Sequence, residues 1–263
     1  MIEVNCTLKN IFDSHCHYDD HAFDEDRHEL LGSMLGQNVS YIVHASTDHE
    51  SALFGISLSE KYPHAYTSVG WHPENLDSLP CDYIEKLEEL ISANKKVVAI
   101  GEIGLDYHYE GYDREKQIEV FSRQIELAIK HSLPIIVHSR EATADTMEIL
   151  RKYRPSGVVH CFGGSFETAR EVISLGMYIG FTGVLTFKNA KKAVSALEAV
   201  PSDRLLLETD CPYMAPDGYR GKRCDSRMIY RIAEKVASLR NISAQEVIDT
   251  TNENACRLFG IHP

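Results

Sequence analysis

The sequence predicts an α/β fold, a single-domain (β/α)8 TIM barrel spanning residues 1–263. Eight short apolar runs rich in β-branched residues recur along the chain, and each is followed by a helix-like segment. The runs are apolar on both faces, as strands must be when helices cover a parallel sheet. The length, 263 residues, matches one barrel of this kind, about 250 residues.

In chain order the strand candidates are IFDSHCH, YIVHAST, AYTSVGW, VVAIGEIG, LPIIVHS, GVVHCF, MYIGFTG and LLLETD. Eight such units favour a closed barrel over an open doubly wound sheet, which usually has five or six strands. No glycine-rich phosphate loop follows the first run, where Asp13, His15 and His17 stand instead. The clearest helix starts after Asp113, an N-cap, and carries Ile118, Phe121, Ile125 and Ile129 at spacings of three and four. Another follows Ser243, with Glu246 completing a capping box, runs through Val247 and Ile248 to Leu258 and Phe259, and ends at Gly260. Neither an internal repeat nor a low-complexity linker marks a second domain.

Composition narrows the class. Hydrophobic residues at 43% and charged residues at 25% are those of an ordinary globular protein. The N-terminus lacks the basic start and apolar run of a signal peptide, and no stretch approaches the roughly 18 apolar residues of a membrane span. Seven cysteines, an odd and scattered set, fit reduced thiols and a cytoplasmic location. A net charge of −12 means that any nucleic-acid binding must be local. A monomer is the default expectation.

The chemistry lies at the strand ends. Side chains alternate along a strand, so Asp13, His15 and His17 are expected on one face and Ser14 and Cys16 on the other. Glu102, His138, His160 and Asp210 each follow an apolar run. A buried strand seldom ends in an unpaired ionisable group, because burying one uncompensated is costly. Here five strands do so, and in a barrel those ends converge on the face that carries active sites. Imidazoles and carboxylates converging in this way suit Zn²⁺ or Mn²⁺, whereas Mg²⁺ favours oxygen-rich sites. Six candidates exceed the three ligands of a mononuclear catalytic zinc, so two divalent cations are expected, bridged by the two oxygens of Glu102.

The motifs DSHCHYD, GEIGLDY, PIIVHSREA, HCFGGS and LLLETDCPYMAP, taken together, resemble the TatD family of metal-dependent deoxyribonucleases, within the amidohydrolase superfamily. The similarity extends over essentially the whole chain. It implies a hydrolase holding two divalent metal ions (Zn, Mn or Mg), with His15, His17, Glu102 and Asp210 serving one and Glu102, His138 and His160 the other. It implies 3'-5' exonucleolytic cleavage of DNA, in which a metal-bound hydroxide attacks phosphorus and Asp210 orients or deprotonates the water. Glu208 matches a further functional acid of the family, expected from strand alternation on the same face as Asp210, and His72 a substrate contact.

Arg220, Lys222, Arg223 and Arg227 follow the eighth strand, with Lys188 after the seventh, where barrels often bind phosphate. They are candidate substrate contacts. The chain departs from the family here: after Lys222 and Arg223 the motif usually continues with asparagine, glutamate and proline, and this chain has Cys224, Asp225 and Ser226. Two other functional classes remain open. A small-molecule amidohydrolase acting on an ester, amide or lactone could use the same centre, although some of those enzymes carry a modified lysine where this chain has Glu102. A non-catalytic scaffold would normally have lost ligands, and none is missing.

Overall fold

A computed structural model describes Val4 and residues 6–262. Eight parallel strands form one sheet in sequential order: β1 (Ile11–Cys16), β2 (Val39–His44), β3 (Ala65–Val69), β4 (Val97–Asp106), β5 (Ile135–Arg140), β6 (Gly157–Val159), β7 (Tyr178–Phe181) and β8 (Leu205–Leu207). The connections carry helices α1 (Arg27–Ser33), α2 (His49–Lys61), α3 (Tyr83–Ala93), α4 (Arg114–His131), α5 (Thr143–Tyr153), α6 (Phe166–Ser174) and α7 (Lys191–Glu198). After β8 come α8 (Ile229–Arg240) and α9 (Ala244–Phe259). Parallel strands in sequential order with helical crossovers curl until the first and last meet. They meet at one mouth, where Asp210 N–H donates to His15 O at 2.9 Å and His17 N–H to Cys211 O at 2.8 Å.

Alternating residues of the strands build two apolar layers. Ile11, Ile42, Ile100, Val137, Ile179 and Leu207 pack outward with helical side chains such as Phe121 and Ile125. Phe12, Val43, Val98, Ile136, Val158 and Leu206 fill the interior together with Leu258, Phe259 and Ile261. The C-terminal helix therefore plugs the end of the barrel opposite the closing hydrogen bonds, with the rings of Phe12 and Phe259 stacked at 6.1 Å. Among the described residues no helix is long and apolar enough to cross a membrane, and all seven cysteines are free thiols.

Helix α4 starts as its sequence requires, with the Asp113 carboxylate accepting from Lys116 N–H at 3.0 Å. Its buried face differs from the expected one, because Ile129 is 50% exposed. Two buried glutamines seven residues apart set the rotation. The Gln117 amide pairs with both backbone groups of Asp106, each at 2.8 Å, and Gln124 pairs likewise with Trp71 at 2.7 and 3.0 Å. Two amides that complete strand-end backbone groups outrank one isoleucine, since an orphaned buried backbone group costs more than an exposed apolar side chain. At the other end of the chain, Ser243 Oγ accepts from Glu246 N–H at 3.1 Å and Gly260 closes α9 at φ 64°.

Phe259→Ala removes the largest side chain of the plug. It is expected to cost about 3–5 kcal/mol, read as a lowered urea midpoint at unchanged slope.

Candidate metal centre

At the mouth where the barrel closes, β1 departs from strict alternation. Its pairing with β2 shifts register between Asp13 and Cys16, and this irregularity redistributes the side chains of DSHCH. His15 and His17 enter the mouth with their Nε2 atoms 3.0 Å apart. Asp13, expected on the same face, turns to the β8 side instead. It accepts from Thr209 N–H at 2.9 Å, from Thr209 Oγ1 and from Ser226 Oγ. Ser14, expected to point away, donates to Glu208 at 3.3 Å.

Glu102, midway along β4, lies at the centre and is 3% exposed. Its Oε2 lies 3.3 Å from His15 Nε2 and 3.5 Å from His17 Nε2. Asp210 Oδ1 completes that group, 3.5 Å from His15 and 3.3 Å from His17. Glu102 Oε1 faces the other way, 2.8 Å from His138 Nδ1 and 2.7 Å from His160 Nε2. His72 Nε2 approaches the same oxygen at 3.5 Å, while its Nδ1 accepts from Glu74 N–H at 3.2 Å. His72 is thus a buried neighbour of the carboxylate, not an exposed loop residue.

Local backbone chemistry makes these approaches possible. Asp210 sits at φ 56°, a left-handed conformation that aspartate tolerates better than most residues. The turn aims its carboxylate at His17, while Glu208 stays fully buried with Oε1 accepting from Cys161 N–H at 2.5 Å. Glu208 and Asp210 share the site because of that turn and not through strand alternation, since β8 ends at Leu207. At Gly180 a Cβ would stand 2.2 Å from Glu208 Oε2, so only glycine leaves room for that carboxylate.

The electrostatics are those of a crowded donor set. Burial and the neighbouring His160 push His15 down to about 4. Burial also opposes charge on His17, but the hydrogen bond and charge of Asp210 outweigh it and raise His17 to about 10. His138 rises to about 9 against burial because Asp106 and Glu102 flank it. Burial favours a neutral Glu102, yet His160, His15 and His72 hold it well below the usual carboxylate range. Glu208 has fewer compensating neighbours, and burial raises it to about 7.

These residues fit divalent cations. Donors at ~2.1 Å from a tetrahedral ion lie ~3.4 Å from one another, and the Nε2 atoms of His15 and His17 lie 3.0–3.5 Å from each other, from Glu102 Oε2 and from Asp210 Oδ1. Three overlapping groups of potential ligands converge here: His15, Glu102 and His160; His15, His17 and Asp210; and His72, Glu102 and His138.

The sequence profile of the family described as TatD related DNase matches residues 12–260. The chain belongs to the TatD family. A Bacillus subtilis relative, the uncharacterized metal-dependent hydrolase YabD, is 40% identical over 96% of this chain and 100% of its own length. The 3'-5' ssDNA/RNA exonuclease TatD of Cronobacter sakazakii is 31% identical over 90% of this chain and 93% of its own. Among solved structures, the TatD homologue YJJV from Escherichia coli superposes with a TM-score of 0.90 at 31% identity, covering 96% of this chain and 98% of that one. The protein is accordingly a metal-dependent hydrolase of the TatD family on a (β/α)8 barrel.

One residue that the strand-end pattern missed is Asp106. Its Oδ2 accepts from His138 Nε2 at 2.8 Å, which turns Nδ1 toward Glu102. Such a carboxylate behind an imidazole fixes the ring's tautomer and orientation; its signal in the sequence was the second acid of GEIGLDY, four residues after Glu102. His17 is oriented similarly, its Nδ1 lying 2.9 Å from Ala45 O. The residues of the atypical triplet are buried: Ser226 bonds Asp13 and Tyr18, and Asp225 pairs with Arg227 at 2.8 Å. Arg223 makes a two-pronged pair with Asp26 at 2.6 and 2.7 Å. Arg220 and Lys222 remain exposed, lying over the rings of Phe187 and Tyr219, and Lys188 is exposed beside Phe187.

Asp106→Ala leaves the His138 ring unanchored. Metal affinity is expected to fall about 10–100-fold in competition titrations with a chromogenic chelator.

Proposed function

We propose that the chain is a two-metal phosphodiesterase that removes nucleotides from the 3' end of DNA. In this reading His15, His17, Glu102 and Asp210 hold one cation, Glu102, His138 and His160 hold the second, and both are Zn²⁺ or Mn²⁺ by the chemistry of a mixed imidazole and carboxylate set. The divided Glu102 carboxylate carries the proposal: its two oxygens face two separate groups of donors. When bound, such a pair of cations lowers the pKa of a water and neutralises charge on a phosphate.

The remaining work falls to the side chains. Asp210 is buried yet held in its ionised form by His17 and His15, so it is the group to accept the proton of the attacking water. Glu208, anchored to Cys161 N–H, supports the floor beneath it. Arg220, Lys222 and Lys188 are the exposed cations of the loops after β7 and β8 and supply the local positive charge that phosphate needs on an acidic protein. Their loops are joined, Asp217 N–H donating to Thr186 Oγ1 at 2.7 Å. The exonuclease named among the relatives supports DNA as the substrate class. The free thiols accord with a reducing cytoplasm.

Metal-loaded protein is expected to shorten a 5'-labelled single strand stepwise. Asp210→Asn should lower kcat about 10²–10⁴-fold, and Glu102→Gln should abolish both activity and binding of the second equivalent of metal. Intact DNA after incubation with bound Mg²⁺, Mn²⁺ or Zn²⁺ refutes the nuclease reading, and turnover of esters or lactones in the same preparation would replace it with the amidohydrolase reading. Lys222→Ala is expected to weaken binding of every sequence alike and to reduce the slope of log affinity against log salt by about 0.7.

A further inference from the structure

The loop between β4 and α4 carries Tyr107, His108, Tyr109 and Tyr112. It leaves the barrel from Asp106, whose two carboxylate oxygens accept from His138 Nε2 and from His108 N–H at 2.8 and 2.9 Å. The loop is thus tied directly to the metal centre. It is also braced: the Tyr107 and Tyr112 rings stack at 4.5 Å and 9°. Tyr107 Oη donates to Asp145 at 2.7 Å, and Arg114 holds the same carboxylate at 2.7 and 2.8 Å. Tyr109 stands outside that stack, with its ring edge-on to His108 at 5.0 Å, and is 57% exposed. Over its ring, 5.3 Å from the centroid, lies the guanidinium of Arg140, an exposed residue two positions after His138.

We propose that Tyr109 is the stacking surface for the base of the terminal nucleotide of a single strand, with Arg140 paired to the adjoining backbone phosphate. The proposal rests on the phosphodiesterase reading and adds a subsite to it. A rigid loop presenting one flat, largely exposed ring beside a planar cation has the chemistry of single-strand binding, where bases stack on aromatic side chains and an arginine follows the backbone. Because every base offers a π-face, such a subsite accepts all four bases and discriminates only between a base and its absence.

The test compares two 5'-labelled oligonucleotides that differ only in whether the 3'-terminal residue carries a base or is abasic. The wild-type protein is expected to remove the base-bearing residue about tenfold faster in kcat/KM. Tyr109→Ala should erase the preference by slowing only the base-bearing substrate, and Tyr109→Phe should restore it. Equal rates on both substrates for the wild type, or an equal loss on both for Tyr109→Ala, overturns the stacking subsite while leaving the phosphodiesterase reading intact. Cleavage of neither by metal-loaded wild type overturns that reading and the subsite with it.

Discussion

A carboxylate buried at the mouth of a barrel governs this structure. Glu102 is 3% exposed, and an uncompensated charge in that position would be shed by protonation or by unfolding. Compensation comes from imidazoles on three other strands and from His72 just past a fourth, and their approach within 2.7–3.5 Å fixes how closely those strand ends gather. The crowding is itself unfavourable without a positive centre, since burial drives His15 toward its neutral form while Asp210 draws a proton onto His17. Divalent cations resolve both demands, because they want neutral imidazoles and ionised carboxylates together.

Around that centre a second layer of groups restricts each donor to one orientation. Asp106 fixes His138, Ala45 O lies against His17, and Gly180 vacates the space that Glu208 fills. Asp106 belongs at once to the helix packing, through Gln117, and to the site, through His138. Rotation of α4 and the set of an imidazole ring are therefore mechanically linked, and the exposure of Ile129 follows from the same demand.

Much of this was legible in the sequence because strand and site share one signal. Five of the eight apolar runs end in an ionisable residue, and a closed barrel leaves those ends only one place to go. That reasoning named six of the seven residues whose donor atoms gather here, the seventh, His72, having entered only through the family resemblance, as a substrate contact. It failed where a local rule was broken by a distant partner. Alternation assigned Asp13 to the mouth, but a register shift in β1 gives it to Thr209 and Ser226. Alternation also linked Glu208 to Asp210, whereas the left-handed turn at Asp210 makes that link. Four basic residues in nine read as one patch, yet Arg223 is engaged with Asp26 and Arg227 with Gln37. Spacing along a chain cannot encode a partner nearly two hundred residues away.

The seam between β1 and β8 carries a consequence for how the protein comes into being. Asp210 N–H bonds His15 O, and Thr209 N–H bonds Asp13, so the two edges of the sheet must meet before the His15, His17 and Asp210 donors come together. A growing polypeptide still on the ribosome, or a fragment cut anywhere between these strands, holds an incomplete donor set and no seam. Hydrolytic capacity thus arrives all at once with the completed fold.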